Sequence, residues 1–195
     1  MSTPEFEYPA DSIELKSIAQ WTKWLRANHQ KSTGVWLVLR KKSTGEMLDY
    51  REILETAICY GWIDAIRKSA TAATYLQRFT PRGKKSIWSK INRDKALALI
   101  ESGRMHPAGL AEVERAKQDG RWDRAYDGVA SAQVPDDLAA AFKKNKKVRE
   151  FFESLDSRNR YAVLFRLHQA KKAETRAKRL AVFIEMLESG RKLYP

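Results

Sequence analysis

The chain holds one cysteine, Cys59, among its 195 residues. No internal disulfide can form, which fits a reducing compartment. No apolar run approaches the ~18 residues that suggest a membrane-crossing helix, so no transmembrane segment is expected. The opening stretch MSTPEFEYPA is acidic and lacks an apolar run behind a basic start. It does not read as a secretory signal, and the cytoplasm is the expected setting. The three histidines, His29, His106 and His168, are far apart in sequence, with no His or Cys pair at metal-ligand spacing. G-x-G-x-x-G, G-x-x-x-x-G-K-[ST] and G-x-S-x-G are all missing. No cofactor or metal is therefore expected, and no catalytic residue is assigned. Internal repeats and low-complexity linkers are also absent.

Positive charge is abundant, and it is unevenly placed. The net charge is +13. Residues 1–64 sum to −1, 65–105 to +8, 106–127 to −1, 128–160 to +2 and 161–195 to +5. Two basic blocks thus carry the excess. Such blocks attract polyanions, phosphates or acidic surfaces, or else solubilise the chain. Hydrophobic content of 43% and aromatic content of 10% are enough for a packed interior.

The pattern predicts an α+β fold: a small antiparallel sheet of about three strands flanked by helices, then a helical C-terminal half. Residues 1–12 read as a loose arm. Ser17 and Gln20 have capping-box spacing, with Ile18, Trp21 and Leu25 on one helical face. Val35 to Leu39 reads as a buried strand, and Ser43-Thr44-Gly45 as a turn. Asp49 and Glu52 open a second helix ending near Gly61. Trp62 to Ser69 and Thr74 to Thr80 form a probable hairpin. Ser86 is placed as the cap of a helix running to Gly103, and Pro107 in the first turn of the next. Further helices begin near Pro135 and Ser157, and the last stops at Gly190. Asp127 to Pro135 is the weakest seam. It divides residues 1–127, an α+β domain, from 128–195, a helical region expected to pack on it.

Three segments suit chemistry. Arg78 to Lys90 gathers five basic residues, two aromatics and three hydroxyls where a strand is expected to lead into a helix N-terminus. Such a junction favours anions. Arg78 and Arg82 suit a fork onto phosphate or carboxylate, supported by Lys84, Ser86 and Ser89, with Trp88 or Phe79 stacking on a ring. The plain alternative has Phe79 and Trp88 in the core, Ser86 as a cap and the lysines solvated. In Cys59-Tyr60-Gly61-Trp62-Ile63-Asp64, a thiol at a helix C-terminus is disfavoured as thiolate, so Cys59 reads as core. Asp64 is placed to pair with an arginine of the first segment. Arg166 to Arg179 holds six basic residues against Glu174 alone. Lys171, Lys172, Arg176 and Arg179 there suit phosphate contacts, or a solvated helix face. The acids of 112–127 read as ion-pair partners for Arg115, Arg121 and Arg124.

Several motifs occur together in order: Trp24-Leu25-Arg26-Ala27-Asn28-His29, Gly34-Val35-Trp36-Leu37, Cys59-Tyr60-Gly61-Trp62-Ile63-Asp64, Arg78-Phe79-Thr80-Pro81-Arg82, Ser86-Ile87-Trp88-Ser89-Lys90-Ile91-Asn92 and Gly103-Arg104-Met105-His106-Pro107-Ala108-Gly109. Ala116 to Trp122 and Ala170 to Arg176 complete the set. The chain resembles the bacteriocin-protection, YdeI or OmpD-associated family from about residue 15 to 190. That resemblance implies no established activity, cofactor or catalytic residue. The family's name implies a link to outer-membrane porins and to resistance against cationic peptides. The N-terminal part also resembles, at the level of fold, the small helix-flanked domains of YjbR-like proteins.

Three functions follow as expectations. The first is a binding module for nucleic acid or a phosphorylated small molecule, using the basic surface. The second is an enzyme on a small anionic metabolite, with Asp64, Arg78, Arg82 and Trp88 lining a pocket. The third is a stress-related interaction protein docking an acidic partner of unknown identity.

Overall fold

The structure, a computed structural model, describes residues 6–41 and 48–195. The turn expected at Ser43-Thr44-Gly45 lies outside the described residues. The chain forms two compact units, one of residues 1–88 and 92–125, the other of residues 89–91 and 126–195.

The first unit carries strands β1 (Ser12–Glu14), β2 (Val35–Arg40), β3 (Trp62–Ser69) and β4 (Thr74–Pro81) in the sheet order β1-β2-β4-β3. β2 pairs antiparallel with β4, and β4 with β3. β1 lies parallel to β2, with Ile13 opposite Leu37. The sheet is thus mixed and four-stranded, one strand more than the sequence pattern showed. A three-residue strand has no room for a period-2 signal, and part of the expected loose arm supplies it.

Helices α1 (Ile18–Asn28) and α2 (Tyr50–Cys59) cover one sheet face. The α1 cap forms as the sequence predicts, Ser17 Oγ accepting from Gln20 N–H at 3.1 Å. Gln20 Oε1 accepts in return from Lys16 N–H at 2.9 Å, one residue before the usual position. Alternation along β2 and β4 turns Val35, Leu37, Leu39, Tyr75 and Phe79 toward these helices, where they join Trp21, Leu25, Ile53 and Trp62 in one core. Two of the buried indoles are hydrogen-bonded: Trp21 Nε1–H donates to Ile53 O and Trp62 Nε1–H to His29 O.

Helix α3 (Lys90–Glu101) and α4 (Pro107–Gln118) follow. α3 begins at Lys90, not after a cap at Ser86. Residues 82–88 form a loop with a turn in which Ser86 N–H donates to Gly83 O at 2.9 Å. α4 packs on α2 at Gly109. A Cβ there would stand 2.3 Å from Cys59 O and 2.7 Å from Ile58 O, so only glycine allows this approach.

The second unit is helical: α5 (Asp136–Lys144), α6 (Lys146–Ser154), α7 (Ser157–His168) and α8 (Ala173–Glu188). Leu138, Phe142, Val148, Phe152, Val163, Leu167, Phe183 and Leu187 form its core. Asp156 caps α7, one residue before the expected Ser157. Its Oδ1 accepts from Asn159 N–H at 2.7 Å.

Candidate functional site

The basic segment 78–90 is tied into the first unit. Arg78 on β4 pairs with Asp11 and lies 5.5 Å over the Trp36 ring. It also crosses Gly34, where a Cβ would meet Nη2 at 2.7 Å. Asp64 on β3 accepts from the Tyr50 hydroxyl at 2.8 Å. Burial first, and the Asp64 carboxylate second, push the Tyr50 phenol well above its ordinary value. Asp64 thus bonds a tyrosine, where the sequence suggested an arginine. Arg82 is 4% exposed and Trp88 1%. Arg82 stacks 3.6 Å from the Trp88 ring centre and donates to Ile87 O at 3.2 Å and Ser86 Oγ at 3.4 Å. Lys84 and Lys85 are exposed on the turn, while Ser89 is buried.

Two arginines read only as ion-pair partners complete the arrangement. Arg121 pairs with Asp119 and also donates to Ser86 O at 2.7 Å. Arg115 pairs with Glu112 and donates to Arg82 O at 3.0 Å. Burial pushes the Glu112 carboxyl up, against the pull of Arg115, Arg121 and Arg82. In this unit, arginine serves chiefly to hold the 82–88 loop.

In the second unit, the segment 166–179 divides in the same way. Arg176 forks onto Asp137 through Nε at 2.6 Å and Nη2 at 2.8 Å, and its Nη1 donates to Leu167 O at 3.0 Å. The Arg176 fork holds the Asp137 carboxyl below its ordinary value. Arg179 Nη1 donates to Arg166 O at 2.6 Å. Lys171 and Lys172 are exposed at the turn into α8.

A concave surface lies along the outer face of α7. Arg158, Tyr161, Ala162, Phe165 and Arg166 fall at i, i+3, i+4, i+7 and i+8, one helical stripe. Val163 and Leu167 point instead into the core. Two clefts flank the stripe and share Tyr161 and Phe165. The first, about 310 Å3, is lined by Lys90, Tyr126, Asp127, His168 and Arg176 among others. The second, about 500 Å3, is lined by Arg158, Arg166, Tyr194, Ser157 and Val129 with the shared aromatics.

The first cleft is stiff and internally bonded. Lys90 pairs with Asp127 at 2.8 Å, and the Tyr161 hydroxyl donates to Asp127 O at 2.9 Å. Burial, Tyr126 and Asp127 together raise the Tyr161 phenol. Phe165 stands edge-on to Tyr126 at 5.0 Å and 5.7 Å from Tyr161. In the second cleft Arg158 lies 4.3 Å and Arg166 5.8 Å from the centre of the Tyr194 ring. Neither guanidinium has an acidic partner among the described residues. Buried Asn159 holds the tail that carries Tyr194, accepting from Tyr194 N–H at 2.9 Å and donating to Tyr194 O at 3.1 Å. Of the segments expected to carry a site, Lys90 from the first and Arg166, His168 and Arg176 from the third line these clefts. Arg158, Tyr161, Phe165 and Tyr194 were not singled out, although the R-x-x-Y-A-x-x-F-R spacing is visible in the sequence.

Among the described residues, no helix is long and apolar enough to cross a membrane, and no group of three or more His, Cys, Asp or Glu is placed to hold a metal. Two family models match the chain. Residues 13–112 match "Domain of unknown function (DUF8412)", and residues 131–190 match "Bacteriocin-protection, YdeI or OmpD-Associated". The second match bears out the resemblance carried by the motifs. No curated protein and no solved structure matches.

Proposed function

The chain belongs to the family described as Domain of unknown function (DUF8412), and from that premise we propose that it is an anion-binding module whose binding surface is the outer face of α7. The observation that carries this reading is the arginine pair Arg158 and Arg166, set against Tyr194 with no acidic partner among the described residues. Guanidinium groups suit phosphate and carboxylate oxygens, and the adjoining Tyr161 and Phe165 offer ring faces. The preferred ligand is therefore an anion that also carries an aromatic ring, as a nucleotide does. The +8 block at residues 65–105 supports attraction at a distance, but Arg78 and Arg82 are already engaged within the fold.

Binding is favoured over catalysis because the acid–base groups of the first cleft bond one another: Lys90 to Asp127, and Tyr161 to the Asp127 carbonyl. The test is calorimetric titration with adenosine monophosphate, adenosine and inorganic phosphate. Adenosine monophosphate should bind more tightly than either fragment, and Arg158→Ala/Arg166→Ala should abolish the advantage. Equal binding of all three, or binding untouched by the double variant, would overturn the reading.

A further inference from the structure

We infer that the ligand of the α7 face is a single-stranded polynucleotide that crosses the Tyr161–Phe165 ridge and occupies both clefts. This rests on the anion-binding reading and adds to it the polymer, its strandedness and its path. The two clefts share a wall made of two rings, Tyr161 and Phe165. A third ring, Tyr126, borders the first cleft, and a fourth, Tyr194, the second. None of the four belongs to the hydrophobic core of the unit. They meet one another and the arginines at the surface, where stacking on splayed bases would use them.

Cations run along the same line. Arg158 and Arg166 are eight residues apart on α7, roughly 12 Å along the axis at ~1.5 Å per residue. At ~3.4 Å per stacked nucleotide that spans about three phosphates. Lys90, paired with Asp127, continues the line into the first cleft. The second unit carries the +5 of residues 161–195 and the +2 of residues 128–160. A duplex hides its base faces and would meet only the charges. A single strand would meet both rings and charges, so the surface favours it.

Fluorescence anisotropy with labelled homopolymers of one to eight nucleotides, RNA and DNA in parallel arms, tests this on the full chain. Affinity should climb with each nucleotide and level off at about four to five, the number the two clefts hold by the spacing above. With about three phosphate contacts, log K should fall with log salt at a slope near −2. Phe165→Leu keeps the bulk and removes the ring, and should weaken a five-nucleotide strand about tenfold. Lys143→Ala/Lys144→Ala removes the same charge as Arg158→Ala/Arg166→Ala from exposed positions on α5, and should change binding less than the arginine pair does. Circular dichroism of each variant checks the fold. The inference is overturned if duplex competes as well as single strand, if affinity is flat with length, or if Phe165→Leu binds as wild type. Mononucleotide binding with a flat length dependence would sink the polymer and leave the anion-binding reading standing. No binding of either would sink both. Discrimination between the RNA and DNA arms identifies the natural polymer.

Discussion

The guanidinium of Arg82 lies 3.6 Å from the centre of the Trp88 ring, and this contact fixes the loop between β4 and α3. A planar cation stacks there and still reaches Ile87 O and Ser86 Oγ; lysine has neither the plane nor the fork. Arg82→Lys should therefore cost about 2 kcal/mol of stability, read as a lower urea midpoint at unchanged slope. The same variant should bind oligonucleotide as wild type does, because Arg82 works inside the fold. A binding defect without a stability loss would return the 78–90 segment to the binding surface.

Gly109 is the point of closest approach between α4 and α2. Its Cβ would stand 2.3 Å from Cys59 O, and a backbone carbonyl cannot swing aside as a side chain can. Gly109→Ala should cost about 2–3 kcal/mol, despite the helix propensity gained. Chemical denaturation measures it. A neutral or stabilising result would mean that the two helices separate freely.

His106 makes the first unit sensitive to acid. Its Nδ1 accepts from Ala108 N–H at 3.2 Å and caps α4, so the ring must be neutral there. Its pKa is lowered, first by burial, then by His29 and Arg26. The ring also stacks on Tyr60 at 4.6 Å. The unfolded chain takes up the proton first, at about pH 6.5. Stability is thus fully present above that value and declines as pH falls from it toward the lowered folded pKa. His106→Asn keeps a capping oxygen without a titration, and should flatten melting temperature against pH between about 7 and 5. An unchanged pH profile would assign the sensitivity elsewhere.

Arg176 and Asp137 tie α8 to α5 through a two-point fork. Asp137→Asn should cost about 1–2 kcal/mol, as one charge-assisted contact is lost. Asp137 has a lowered folded pKa, first through the Arg176 hydrogen bond. Its contribution is present above the unfolded pKa near 4 and disappears as pH falls through the lower folded value. Comparing wild type and variant at neutral pH and in acid checks both. A gap that persists in strong acid would argue against the fork.

Regular patterns with local causes were the most legible part. The β3–β4 hairpin, the Ser17 and Asp49 caps and the helical second half follow from periodicity and capping chemistry. β1 was hidden because it is three residues long and pairs with a strand that starts after α1. The helix expected at Ser86 failed for a tertiary reason: Arg82 within the segment, Arg115 on α4 and Arg121 after it hold those residues in a loop. The same long-range bonding turned a basic run that reads as a phosphate site into an internal brace. The α7 stripe is hard to read from sequence because Tyr161 and Phe165 have the same helical spacing with Leu164 that core residues have. Only the fold shows that Val163 and Leu167 take the inner positions.

Asn159 links the stability of the second unit to its binding face. It is 1% exposed, and its amide meets Asp156 as well as both backbone groups of Tyr194. Asn159→Ala removes three hydrogen bonds at once. That should cost about 2–3 kcal/mol and free the tail from residue 191 onward. Tyr194 would then leave Arg158 and Arg166, widening the second cleft and dropping one stacking ring. Five-nucleotide binding should fall about tenfold, while a chain ending at Leu193 should show a similar binding loss with a smaller stability loss. The truncation separates the two effects, because it removes the ring and leaves the bond of Asn159 to Asp156. If the truncated chain binds as well as the full chain, Tyr194 only packs against the arginines and the second cleft acts through charge alone.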